Sequence, residues 1–214
     1  MNSFEAFLER QNEIKRLIEI IKSLGEPINE ELRKKIGTLN RAVVVLLCSH
    51  IEGYIEDSII EFIDEICKNN LQCQKIPEKL KVNYFKKDYD TYGSKPEKAK
   101  DLFCLHSKLW QDSQNLIVGD LDGTQITEEF NNPEPPKIKK LFEYIGFNEL
   151  WNKIIDKKHI KDLEIIVENR HKIAHGDSTF TITTDDAIRY RDSTAMIAYE
   201  INRILEIHLQ NILL

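Results

Sequence analysis

Glycine and proline are scarce in this chain, eight and six among 214 residues, and most mark junctions between longer stretches. That scarcity disfavours a turn-rich protein and suits long helices. The four cysteines (Cys48, Cys67, Cys73, Cys104) form no C-x-x-C pair and no regular spacing, so no cluster has metal-site spacing. Cys48, inside an apolar run, is expected to be a buried free thiol. The longest apolar run, residues 42–48, is far short of the roughly 20 residues that span a bilayer. The amino terminus lacks a basic start and a continuous apolar stretch, so no signal peptide and no membrane partner are expected. A cytoplasmic location with reduced thiols fits. A phosphate-binding glycine loop, H-E-x-x-H and G-x-S-x-G are all missing, which removes the usual marks of nucleotide hydrolases, zinc proteases and serine hydrolases. Excess positive charge is missing too. The formal net charge of -6 excludes a generic polyanion binder and confines any nucleic-acid contact to a local patch.

What is present is helical periodicity. A first helix is expected over residues 4–24, with Ser3 as its N-cap and Gly25 just past its end. Asn29 can cap a second helix running through Val43, Leu47, Ile51, Ile55, Ile59, Phe62 and Ile66, with Gly37 able to bend it. Two shorter helices fit after Pro77 and from Pro96 to about Gln111. Residues 113–136, with Gly119, Gly123, Pro133, Pro135 and Pro136, read as loop. A short helix near 137–145 follows, then a helix over about 158–175 closed by Gly176. Thr183 and Asp186 make a capping-box start to a final helix reaching Leu213. The expected architecture is an all-α bundle, a single domain with an elaborated insertion at about 70–157 between the second core helix and the helix ending at His175.

That helix carries the chemistry. Glu168-Asn169-Arg170-His171-Lys172-Ile173-Ala174-His175-Gly176 places a permanent cation and two imidazoles within six residues, after the apolar run Leu163, Ile165, Ile166, Val167. Phosphodiester cleavage needs such groups: a base, an acid, and a cation for the crowded phosphorane. Spacing alone is weak evidence, since eight arginines and six histidines among 214 residues give roughly 0.2 chance occurrences of this pair. The bland alternative is a helix end where Arg170 is solvated and His175 meets the terminal carbonyls. On one helix, residues five apart point about 140° from each other, whereas His171 and His175 share a face. Arg170 and His175 therefore do not converge neatly within one straight helix, and two copies meeting across a two-fold axis, as in a homodimer, would bring them to a common cleft.

Arg170-His171-Lys172-Ile173-Ala174-His175-Gly176 resembles the R-x4-H motif of the HEPN superfamily, in which a polar residue commonly follows the arginine. The surroundings are similar to its bacterial RiboL-PSP and MAE-type branches, and Glu52-Gly53-Tyr54 resembles their early Glu-aromatic signature. The resemblance implies a four- or five-helix bundle that dimerises, the arginine and histidine of both protomers lining a cleft. It also implies a metal-independent endoribonuclease without a cofactor, of the kind found in toxin–antitoxin or phage-defence systems with an antitoxin or defence partner. By it Arg170 would stabilise the phosphorane, His175 transfer protons and His171 orient the phosphate. The alternative it leaves open is a catalytically silent module for dimerisation or docking.

Supporting residues are less distinct. Glu52, one turn before Glu56, could hold Arg170 or a histidine; the competing reading is a solvated acidic face with Asp57, Glu61, Asp64 and Glu65. Residues 74–100 carry eight lysines against four acids, with Tyr84, Phe85, Tyr89 and Tyr92 interleaved. That stretch could hold RNA through Lys86 and Lys87, with rings available for stacking; a solvated face is the plainer reading. Lys172 in the motif is a further RNA-contact candidate. A calcium-loop alignment over Val118-Gly119-Asp120-Leu121-Asp122-Gly123 fails, because its first ligand position is Val118.

Overall fold

The computed structural model describes residues 2–92, 96–154, 156–177 and 181–214. Residues 93–95 of the lysine-rich stretch, the side chain of Tyr92, and residues 178–180 before the final helix lie outside the described residues. The helices, in chain order, are α1 (Asn2–Ser23), α2 (Glu30–Lys68), α3 (Glu78–Tyr92), α4 (Pro96–His106), α5 (Gly123–Thr127), α6 (Pro135–Tyr144), α7 (Leu150–Lys153), α8 (Lys157–Ala174) and α9 (Thr184–Leu213), with 3-10 turns at Cys73–Lys75 and Ser107–Trp110. Among the described residues there is no strand beyond an isolated bridge between Gln72 and Asn115, so the all-α architecture holds.

Four long helices make the bundle. The central α2 packs on α1, α8 and α9, and α9 packs on α1 and α8. With neighbours on several sides, α2 buries residues around much of its circumference, among them Val43, Leu47, Ile51, Tyr54, Ile55, Ile59, Phe62 and Ile66. Burying each large apolar side chain contributes roughly 1.5–3 kcal/mol before chain entropy is charged against it. Gly37 does not break α2. The Asn29 side chain accepts from the Leu32 N–H at 2.8 Å, and Thr183 and Asp186 form the reciprocal capping box that opens α9.

Two sequence expectations need correction. Ser3 is not the N-cap of α1; the helix already includes it. The first turn is capped from another helix, by the Glu61 carboxylate, which accepts the Asn2 N–H at 2.8 Å, the Ser3 N–H at 3.0 Å and the Ser3 hydroxyl at 2.7 Å. Residues 113–136 are also more than a loop. They contain α5, whose start packs so closely on α2 that a Cβ on Gly123 would sit 2.7 Å from the Ile60 Cα. Leu116, Leu121, Ile126 and Phe130 are buried there. The two aspartates of the rejected calcium loop serve the backbone: Asp120 accepts from the Ile117 N–H, and Asp122 caps α5 through the Thr124 N–H.

The insertion lies against the bundle through α5 on α2, α6 on α8 and α7 on α9. Its α6 therefore borders the helix that bears the arginine and the two imidazoles.

Candidate functional site

The end of α8 is closed by local geometry. Gly176 adopts φ +76°, and its N–H donates to the Ile173 carbonyl at 3.1 Å while the Asp177 N–H donates to that of Lys172 at 3.0 Å. This is the paired Schellman closure, which needs the left-handed residue a glycine adopts without strain. His175 is the C-cap residue itself, and its side chain is exposed.

The rotation of α8 is fixed by two buried polar contacts with α9. Asp162 accepts from the Ser193 hydroxyl at 2.6 Å and from Arg189 at 3.3 Å. The amide of Asn169, directly before Arg170, lies 3.4 Å from the Tyr190 hydroxyl. Both acceptor and amide are buried, so turning the helix would strand them without partners. Asn169 was not singled out from sequence. Its signal was a polar residue in helical register with Asp162 and the apolar Ile166, on the face that α8 buries.

With α8 so fixed, Arg170 is half-buried and lies near α2, where its charge acts on the Cys48 thiol. Burial first, then the charge of Glu52, push that thiol up to about 12 against the opposing pull of Arg170. Cys48 is thus a neutral, inert thiol. Among the described residues Arg170 has no carboxylate within ion-pairing distance. Glu52 does not pair with it; it accepts the Asn132 N–H at 3.1 Å and so ties the chain before α6 to α2. Burial, then Glu52 and Asp57, hold Glu56 above the ordinary carboxylate value.

His171 lies about a third of a turn from Arg170 and borders a groove of about 360 Å³ between α8 and the start of α6, lined by Glu134, Pro135, Pro136, Glu164, Val167 and Glu168. Two of these acids are matched on their own helices, Glu134 by Lys137 at 3.1 Å and Glu168 by Lys172 at 2.7 Å. His175 continues the face of His171 one turn on. Neither imidazole makes a side-chain hydrogen bond within the described residues. Arg170 and the His171–His175 face are therefore brought to one helix end but not to one point.

The lysine candidates separate. Lys172 faces Glu168. Lys87 reaches inward and donates to the carbonyls of Gln125 at 2.7 Å and Ile126 at 3.4 Å, capping α5. Lys86 is exposed. Two other histidines serve structure: His159 meets Ser193 at 3.0 Å, and His208 stacks on Phe62 and meets the Ile145 carbonyl at 2.9 Å. No three His, Cys, Asp or Glu side chains converge as a metal-ligand group among the described residues. Nor is any helix there long and apolar enough to cross a membrane.

A family model described as RiboL-PSP-HEPN matches residues 5–206, nearly the whole chain. No curated protein and no solved structure matches it. The chain belongs to the RiboL-PSP-HEPN family. Domains of this kind are generally associated with RNases, bind RNA and often dimerise.

Proposed function

We propose that this family member is a metal-independent endoribonuclease that cuts RNA by attack of the substrate's own 2′-hydroxyl, at a site composed from two copies of the α8 end in a homodimer. The observation that carries the reading is Arg170: a half-buried guanidinium with no acid partner among the described residues, on the same helix end as two unengaged imidazoles. A cation partly withdrawn from water and left without its own carboxylate is held for an anion from outside.

In the reaction, an imidazole of His175 takes the 2′-hydroxyl proton as O2′ bonds to phosphorus. The P–O5′ bond breaks, and a protonated imidazole from the second copy gives its proton to the leaving oxygen. The products are a 2′,3′-cyclic phosphate and a 5′-hydroxyl. Arg170 stabilises the phosphorane through its planar fork, and His171 orients the scissile phosphate. The two-copy arrangement is supported by the divergence of Arg170 and His175 around a single helix. Glu52 supports the site indirectly, through the segment at Asn132 that borders the groove.

The chain is taken as one domain acting in the cytoplasm of a toxin–antitoxin or phage-defence system, a setting whose support is the motif resemblance alone. Purified wild type should cleave RNA in EDTA and fail on a strand with deoxyribose at the cut position. His175→Ala should lose about 100-fold or more of that activity, and Arg170→Lys should lose most of it although the charge remains. Growth arrest on induced expression should vanish with His175→Ala. Cleavage that requires magnesium, proceeds equally on DNA, or persists undiminished in a sedimenting monomer would refute the mechanism.

A further inference from the structure

The insertion carries an open slot of about 390 Å³ lined by Phe85, Phe103, His106, Ser107, Trp110 and Gln111. Two of its walls are aromatic rings left in water: Phe103 is 67% exposed and Trp110 51%. Its floor is rigid. His106 is buried and meets Tyr84 and Phe85 edge-on, with ring centroids at 5.3 Å and 5.5 Å. Large exposed rings around a firm floor mark a surface built to be covered.

The charge beside the slot says what covers it. Lys81 is only 5% exposed, yet its ammonium has no carboxylate partner among the described residues and rests 5.8 Å from the centroid of the Trp110 ring. Nearby cations are engaged: Lys108 by Asp120, and Lys87 by the α5 carbonyls. An apolar peptide would satisfy the rings and leave the ammonium unmatched; an acidic peptide would do the reverse. A nucleotide unit of a single strand satisfies both, because every base has a face to stack and every linkage has a phosphate. Gln111 adds an amide for a base edge, and Ser107, whose hydroxyl donates to the Cys104 carbonyl at 2.7 Å, keeps its oxygen as an acceptor.

We propose that this slot binds an unpaired base of single-stranded RNA, stacked against Trp110 and Phe103, with Lys81 on the adjoining phosphate. The choice of RNA rests on the reading of the chain as an endoribonuclease, while the residues are distinct from those of the cleavage site. The slot would anchor the strand away from the cut and let a protein of net charge -6 hold a polyanion locally.

The test is fluorescence anisotropy with a labelled, 2′-O-methylated single-stranded 12-mer of mixed sequence. That strand cannot be cut by 2′-hydroxyl attack, so the result is independent of catalysis. Trp110→Ala and Phe103→Ala should each weaken binding about tenfold. Both residues are surface-exposed, and unchanged circular dichroism would verify the fold. Lys81→Met, which keeps the buried stem, should weaken binding and reduce the salt slope by about 0.7; Lys81→Arg should restore it. In a Trp151→Phe background, Trp110 emission should be quenched on binding. Equal affinity for an abasic 12-mer or for duplex RNA, or no loss in the Trp110→Ala, Phe103→Ala double variant, would overturn the proposal. So would competition by AMP at the oligonucleotide's own affinity, which would mean a pocket for free nucleotides.

Discussion

In the bundle, α2 alone runs 39 residues and lines up Ile51, Ile55, Ile59, Phe62 and Ile66 as buried side chains; in the insertion, α3 has 15 residues and α5 only five. The contrast decides what polar side chains are used for. A long helix closes most of its own backbone hydrogen bonds, whereas each helix end leaves up to four donors or acceptors open. The insertion, rich in ends and short connections, commits its side chains to backbone groups: Lys87 to Gln125 and Ile126, Lys137 to the Asn131 carbonyl, the Trp151 indole to the Pro135 carbonyl, Asp122 to Thr124. Counting lysines therefore overstates the cationic surface of this region. In the bundle, buried polar groups instead join helix to helix, as Asp162–Ser193 and Asn169–Tyr190 do.

The largest effect is expected in the bundle. Phe62 is fully buried and stacked on His208 at 5.5 Å. Phe62→Ala should cost about 3–5 kcal/mol, read as a lower denaturant midpoint for the whole chain. If α1 and α9 kept their amide protection while only the insertion loosened, the bundle would not be the cooperative unit.

Gly123→Ala probes the seam between the regions. The added methyl would meet backbone of α2, a contact that cannot be relieved by a rotamer change, and overpacking of this kind costs about 1–3 kcal/mol. Hydrogen exchange should show faster opening in α5 and the segments around it, with α1 and α9 little changed. Uniform acceleration everywhere would mean that the insertion and bundle open together.

Tyr54→Phe, back in the bundle, should cost about 1 kcal/mol. Its hydroxyl, fully buried, donates to the Ala198 carbonyl at 2.9 Å and joins α2 to α9. The ring stays, so packing against Phe7 and Phe4 should survive, and chemical denaturation should report the loss without a change of slope.

The same contrast governs what could be read from sequence. Features set by neighbours in the chain were legible: the Asn29 cap, the Thr183–Asp186 capping box, the closure at Gly176, and the α8 end bearing Arg170, His171 and His175. Features set across the fold were not. Residues 113–136 concealed α5 because five residues carry too little periodicity to register. The tie from Glu52 to Asn132 spans 80 positions, and nothing local distinguishes it from a link to Arg170. Asn169 carries no local mark of its role, which comes from its burial against Tyr190. Glu61 looked like one more member of a solvated acidic face.

Glu61 also gives the smallest and most specific effect. Burial alone would raise its carboxyl, but the Ser3 and Asn2 hydrogen bonds outweigh burial and hold it below the ordinary value of 4.5. A carboxylate capping the positive end of a helix contributes about 0.3–1 kcal/mol, towards the lower end here because the pair is partly open to solvent. The sign follows from linkage. A carboxyl whose folded value is depressed stabilises fully above its unfolded value, and that contribution is lost as pH falls through the folded one. Glu61→Gln should therefore lower Tm slightly at pH 7, and the gap between variant and wild type should narrow below pH 4.5 and close in stronger acid. A gap that stayed constant down to pH 2 would mean that Glu61 acts through shape and hydrogen bonding alone, and that its charge contributes nothing to the start of α1.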